Sequence, residues 1–272
     1  SPIDGSTINR PDVMVKGTVT NTTGNETGVT VNGIVATTYG NQFIVNHAPL
    51  TEGSNTITAT ATDTAGNTAA TSITVNAVTT GNYIQLTANP ESGISLLEAT
   101  LKIDGSFSIT NSTISVSGPG SIEWLSTGID EYVVRMTTEG IYYFTATVTG
   151  PDSNVYQDTV AIVVLNTSQL DALLRAKWEA MKAALANQDV NSALNYYTEE
   201  TKQLYNDLFT ALYAQLPQIV QDMQNIQLIY AKSNAAKYRI IRNELYNGQV
   251  ITITYYIYFV LDKDGLWKIY QY

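Results

Sequence analysis

The residues with the chemistry to do work sit mostly in the last third of the chain. Asp189, Glu199, Asp207 and Glu244 could act as bases, and Tyr197, Tyr230, Tyr238 and Tyr256 could donate protons. A carboxylate base facing an acid, such as a tyrosine beside a neutral carboxyl group in an apolar pocket, equips a site for proton transfer. No spacing among these carboxylates selects one of them. The same residues read equally as solvated carboxylates and packed tyrosines, so no catalytic residue is assigned and a non-enzyme is expected. Arg239, Arg242 and Glu244 fall on one strand-like stretch. The two-residue period puts Arg242 and Glu244 on one face and Arg239 on the other. That pair could anchor an anionic ligand, though a surface ion pair is the commoner arrangement.

Composition removes other chemistries. The chain has no cysteine, which excludes disulfides, thiolate nucleophiles and cysteine-ligated metals. Its single histidine, His47 next to Ala48-Pro49, reads as an ordinary loop or edge residue. Asp262-Lys263-Asp264-Gly265 looks like the start of a calcium loop, but the chain ends before the glutamate that such a loop needs. It is read as a turn. Asp63 and Asn67 offer oxygen ligands for Ca²⁺ near a domain junction, or simply close a hairpin. No metal or cofactor is expected. Asn21-Thr22-Thr23, Asn25-Glu26-Thr27 and Asn111-Ser112-Thr113 fit the glycosylation pattern and, in a bacterial protein, are plain Thr/Asn-rich loops.

The element that must position the tyrosines is the terminal stretch Val250–Tyr272. Ile251, Ile253, Tyr255, Ile257, Phe259 and Leu261 alternate along it as one apolar strand face. Thr252, Thr254, Tyr256, Tyr258 and Val260 form a second face, still partly aromatic. One face can pack on helices, and the other calls for a different cover, such as a second copy of the sheet or a neighbouring domain. Ligand or interface candidates are therefore Tyr197, Tyr238, Arg242, Glu244, Tyr256, Tyr258 and Trp267.

At 272 residues the chain is long enough for two or three domains. Three compositional regimes place them. Residues 1–78 carry 2 Lys/Arg against 5 Asp/Glu, residues 79–166 carry 2 against 9, and residues 167–272 carry 10 against 10. The net charge of −10 and a pI near 4.5 argue against a nucleic-acid partner. No apolar run reaches membrane-spanning length. The N-terminus shows no signal-peptide pattern, so an export signal is expected to have been removed or to lie upstream.

Residues 1–78 contain short alternating strands about ten residues apart, the pattern of an antiparallel sandwich. The series SPIDGSTI, VKGTV, VTVNG and L-x-E-G-x-N-x-I-x-A-x-A-x-D-x-x-G-N resembles bacterial immunoglobulin-like modules of the glucodextranase type. That resemblance implies a module from a tandem array on a cell-surface or secreted protein. Residues 79–166 continue with seven strand-like runs. ANPESGISLLEATLKI, Trp124 and TTEGIYYFTATVTGPDSN resemble polycystic-kidney-disease-type sandwiches, without that family's WDFGDG signature.

After Asn166 the period changes. Thr167 or Ser168 is expected to cap a long helix with Asp171 in its first turn, and Leu170, Leu173, Leu174, Trp178, Met181 and Leu185 form its stripe. A short helix is expected around Val190–Tyr197. Leu204, Leu208, Leu212 and Leu216 mark a third that stops at Pro217. Strands are expected at 227–231, 237–246, 250–261 and 266–272. W-x-x-M-x-x-A-L and the terminal D-x-D-G-x-W-K-I resemble the nuclear-transport-factor-2-like superfamily, with its ketosteroid-isomerase-like and SnoaL-like members. The resemblance implies a cone of helices on a curved sheet, a fold that hosts enzymes, binders and dimerisation modules alike.

The expectation is thus two all-β immunoglobulin-like sandwiches followed by an α+β cone. The chain reads as a non-catalytic fragment of an extracellular, cell-surface or periplasmic bacterial protein. A homodimer through the C-terminal sheet or another protein partner is the first reading, and a small ligand or glycan in the cone the alternative.

Overall fold

The computed structural model describes every residue of the chain except Thr23. The sequon Asn21-Thr22-Thr23 therefore lies partly outside the described residues. The chain forms two compact units, Ser1–Asn166 with Lys263–Leu266, and Thr167–Asp262 with Trp267–Tyr272.

The first unit holds two hydrophobic clusters. In residues 1–78, a five-stranded sheet orders Thr7–Ile8, Thr68–Ala77, Gly53–Asp63, Thr27–Val31 and Ile34–Val35, and a three-stranded sheet orders Asp12–Thr18, Gln42–Pro49 and Thr37–Tyr39. Val15, Val29, Val31, Phe43, Val45, Ile57 and Val75 fill the space between them. Alternation explains why: Val29 and Val31 point inward while Thr30 stays partly solvated. In residues 79–166, Ile122–Thr127, Glu131–Met136, Leu97–Gly105 and Ile84–Asn89 form one sheet. Thr113–Ser117, Gly140–Thr149, Val155–Leu165 and Ser92–Ile94 lie together in the other. Leu86, Leu101, Val134, Met136, Tyr142 and Phe144 are the heart of that core. Ser92–Ile94 and Thr7–Ile8, each paired in parallel, carry too few residues to show a period and were not foreseeable from pattern.

Strand Val155–Leu165 departs from simple alternation. Val160, Ile162 and Val164 face the second core, while Ala161 and Val163 pack on Ile44 of the first sandwich. A strand covered on both sides reads as a continuous apolar run, here Val160–Leu165. That run is why the two sandwiches form one compact unit.

The second unit begins with helix α1, Thr167–Ala186. Thr167 and Ser168 lie inside its first turn instead of capping it, and Asp171 falls one turn further in. Leu170, Leu174, Trp178, Met181 and Leu185 are its buried stripe. Helix α2, Val190–Leu194, is capped by Asp189, whose side chain accepts from the Ser192 N–H at 3.0 Å. Helix α3 spans Lys202–Ala211 and helix α4 Leu216–Asp222. Two expectations are corrected here. Pro217 opens α4 instead of ending α3, because proline in a first helical turn forfeits no hydrogen bond. The leucines at 204 and 208 face solvent, and Tyr205 and Phe209 pack inward in their place. The sheet runs Gln227–Lys232, Ala235–Tyr246, Gln249–Leu261 and Trp267–Gln271, antiparallel throughout. Asn247 and Gly248 at positive φ make its central hairpin turn.

Candidate functional site

The interior of the second unit is where a cone-type pocket would lie, and aromatic side chains fill it. Trp178 meets Tyr272 edge-on at 5.4 Å, Tyr197 lies 4.1 Å from Tyr205, and Tyr238 meets Phe259 at 5.5 Å. Their polar ends are satisfied locally. Trp178 Nε1 donates to the Gln224 carbonyl at 3.1 Å, Tyr205 Oη to the Tyr272 carbonyl at 3.2 Å, and Tyr238 Oη to Asp171 at 3.0 Å. The Tyr197 hydroxyl finds only the Met181 sulfur, 3.8 Å away. Burial, reinforced by the charge of Asp171, raises the Tyr238 hydroxyl far above its usual range, and burial does the same to Tyr197. Burial pushes Tyr272 up to about 12. These phenols are structural at neutral pH.

Of the carboxylates considered as bases, none faces this interior. Asp189 caps α2, Asp207 accepts from Gln203 at 2.8 Å on exposed helix surface, and Glu199 is exposed. Glu244 pairs with Arg242 at 3.1 Å on a partly solvated face, the surface-pair arrangement. Tyr197 and Tyr238 are thus wholly buried, whereas Tyr256 and Tyr258 lie on the opposite sheet face with Lys237 Nζ 3.9 Å and 5.2 Å from their ring centres. Trp267 is buried on the last strand. The structure does not bring the seven candidates together at one place. Asp63 spends its carboxylate on the N–H groups of Ala65 and Asn67 and on the Asn67 side chain, each at 2.9 Å, closing a hairpin. Among the described residues no group of three or more metal-ligating side chains gathers.

What the sheet does present is an arm. Gln227–Lys232 pairs only as far as Arg239, and Trp267–Gln271 reaches only back to Tyr258. The stretch 240–257 therefore pairs solely within its own hairpin among the described residues, with both backbone edges open beyond that. Beyond Ile240 and Ile257 burial falls away on both faces: on the inner face Arg242, Glu244 and Ile253 are half-buried and Ile251 and Tyr255 exposed. Leu245 and Val250, directly paired near the tip, are 74% and 70% exposed. Tyr246, Ile251, Tyr255 and Tyr256 are exposed as well. The expectation of a covered apolar face thus holds only for the inner half of the strand.

In the first unit the inversion runs the other way, with charges buried. Arg10 Nε donates to Asp12 Oδ1 at 2.6 Å, and its Nη1 donates to Asp158. Asp158 Oδ2 also accepts the Leu86 N–H at 2.7 Å. Asp12 Oδ2 accepts from Gln85 and lies 3.3 Å from His47 Nδ1. His47 Nε2 is 3.0 Å from the Leu86 carbonyl. Beside them the Asn46 amide pairs with both peptide groups of Ala161, at 2.8 and 3.0 Å. His47 is therefore no loose edge residue, which corrects the sequence reading. Burial alone would raise Asp12, but His47 and Arg10 hold it below its usual value. Burial alone would lower His47, and Asp12 outweighs it to raise the imidazole above 6.5. The residues come from positions 10, 12, 47, 85 and 158, a spacing with no motif in it. The only available signal was that the chain carries one histidine.

Comparison with known proteins bears on the first of these regions. Residues 1–79 match the family model described as glucodextranase, domain B. The immunoglobulin-like reading of that stretch stands on this match. No curated protein matches the chain significantly. Among solved structures, the fibronectin(III)-like modules of Clostridium thermocellum CbhA share 18% identity over 60% of this chain and 91% of theirs, at a TM-score of 0.24. A Bacteroides ovatus mixed-linkage glucan utilization locus protein, SGBP-B in complex with a mixed-linkage heptasaccharide, shares 15% over 61% of this chain at a TM-score of 0.21, and this chain spans 45% of its length. Titin domains I67–I69 share 13% at 0.22, over 59% of this chain and 62% of theirs. Superpositions this loose carry no functional weight. Among the described residues no helix is long and apolar enough to cross a membrane.

Proposed function

We propose that the chain is a non-catalytic, modular part of a bacterial surface or periplasmic protein, in which two β-sandwiches carry a nuclear-transport-factor-2-like C-terminal domain that binds a second copy of itself. The observation that carries this reading is the hairpin arm of residues 240–257. It combines exposed apolar side chains with unpaired strand edges, the combination that proteins otherwise blunt with charges, proline or bulges. A second copy is the favoured occupant because the arm is itself an open antiparallel ribbon. Two such edges can extend one another by backbone pairing about a two-fold axis without needing any other sequence. The balanced charge of residues 167–272, 10 against 10, gives that domain no net charge of its own to oppose it.

The test is the solution mass of the full chain over a concentration series, beside a Leu245→Ser/Val250→Ser/Ile251→Ser variant. A dimer that the triple substitution converts to monomer supports the reading. A wild-type chain that stays monomeric at the highest attainable concentration overturns it.

Glycan association is a second reading, favoured by two observations on residues 1–79. They match the glucodextranase domain B model, and one end of that sandwich opens into a cavity of about 450 Å³. Asn21, Asp63, Asn67 and several threonines rim the cavity over a floor of Val29, Phe43 and Ala61. Titration with mixed-linkage gluco-oligosaccharides by calorimetry decides it. Heat that disappears in a Phe43→Ala variant whose fold is retained supports the reading, and no heat removes it.

A further inference from the structure

Inside the first unit, the buried charge cluster ties strand Asp12–Thr18 and strand Gln42–Pro49 of the first sandwich to strands Ile84–Asn89 and Val155–Leu165 of the second. Among the described residues its polar links between the sandwiches include Arg10 to Asp158, Gln85 to Asp12, His47 to the Leu86 carbonyl, and the Asn46 amide to Ala161, with Lys16 Nζ also 4.4 Å from the Tyr143 ring centre. Beside them lies an apolar contact in which Ile44, Ala161 and Val163 are buried and Met14, Tyr39, Ile141, Tyr143 and Leu165 pack against them.

His47 is placed between two acceptors. Nε2 faces a backbone carbonyl, which can only accept, and Nδ1 faces the Asp12 carboxylate, which is also an acceptor. A neutral imidazole has one N–H, so it would leave a lone pair against one of these oxygens. Only the doubly protonated ring presents a proton toward both: Nε2 as a hydrogen-bond partner of the carbonyl, and Nδ1, which makes no hydrogen bond, as an ion-pair contact 3.3 Å from the carboxylate. With it, two cations, Arg10 and His47, offset two carboxylates, Asp12 and Asp158, in a mostly buried site. Without that proton the site holds one cation against two carboxylates. Glu91 is the other titratable group nearby, and burial raises its carboxyl toward the neutral form.

We propose that Arg10, Asp12, His47 and Asp158 form a proton-dependent clasp, which fixes the first sandwich against the second while His47 is charged and releases it when that proton is lost. The device makes the spacer stiff in mildly acidic surroundings and jointed in alkaline ones. It is independent of the arm and of any glycan.

The test uses the full chain. Because it contains no native cysteine, Thr64→Cys and Thr127→Cys, both at exposed positions in the first and second sandwich, accept one spin label each. Because it contains one histidine, the imidazole titration by NMR belongs to His47 alone. The expected result is a His47 midpoint above 6.5, with a narrow label-to-label distance distribution below that midpoint and a broader one above it. A His47→Gln variant is expected to give the broad distribution at both pH values. Three results would overturn the clasp: a His47 midpoint at or below 6.5, equal widths on both sides of the midpoint, or an undiminished pH response in His47→Gln. The first two come from chains that keep His47 and do not depend on the variant folding.

Discussion

The two regions that stand out are opposites. In the first unit four ionisable side chains are drawn out of solvent at the junction of two sandwiches, and in the second unit a run of isoleucine, leucine, valine and tyrosine is pushed into it. Burying charge costs several kcal/mol per ion unless it is paired and hydrogen-bonded; here every charge is paired, while Arg10 Nη2 and His47 Nδ1 have ion-pair contacts but no hydrogen bond. Exposing a ribbon of apolar residues costs solubility unless something covers it. Each region breaks the ordinary partition of polar outside and apolar inside, and each therefore points to a role beyond holding its own module together. The difference lies in where compensation comes from. The cluster is completed within the chain, whereas the arm is not.

The comparison can be broken first at the cluster. Asp12→Ala leaves Arg10 and His47 facing each other without their shared carboxylate, and an unfolding loss on the order of 3–5 kcal/mol is expected by chemical denaturation. A loss below about 1 kcal/mol would mean that the site is wetter than its geometry indicates. The pH dependence follows. His47 has its folded value raised above 6.5, so its contribution is fully present below about 6.5 and is lost as pH rises through the folded value. Each unit of separation corresponds to about 1.4 kcal/mol. Stability of the first unit is therefore expected to fall across that window, and His47→Gln should flatten the profile.

Smaller effects sharpen the contrast from the other side. Tyr238→Phe removes the hydrogen bond to Asp171 while keeping the ring, and should cost about 1 kcal/mol with no effect on solution mass. Substituting Leu245, Val250 and Ile251 by serine should change stability by only about 0.5 kcal/mol each, since these side chains are already solvated, while abolishing self-association. Removing the Arg242–Glu244 pair with glutamines should be worth about 0.5 kcal/mol or less in the same melt.

Much of the architecture was legible because it rests on local periodicity. The strand stretches 42–46, 56–62, 142–148 and 250–261, which the structure extends to Gln42–Pro49, Gly53–Asp63, Gly140–Thr149 and Gln249–Leu261, the α1 stripe from Leu170 to Leu185 and the Asn247-Gly248 turn all follow from alternation, helical spacing and turn chemistry. The α3 face was misread because leucine at every fourth position imitates a buried stripe, while Tyr205 and Phe209 offered the larger area to bury. The candidate site was legible only in part. The aromatic wealth of the last strands could be read, but alternation alone does not say where burial ends along a strand, so the arm could not be separated from the core.

By itself, the sequence determined that there would be β modules, a terminal helix-and-sheet unit, no thiol chemistry and almost no imidazole chemistry. These follow from composition and from patterns spanning a few residues. Only the tertiary structure decided that Arg10, Asp12, His47 and Asp158 would meet, that aromatic side chains would fill the interior of the second unit, and that the hairpin of residues 240–257 would carry exposed apolar side chains. Those outcomes depend on contacts between residues as many as 148 positions apart and on where burial ends along a strand, and no local pattern encodes either.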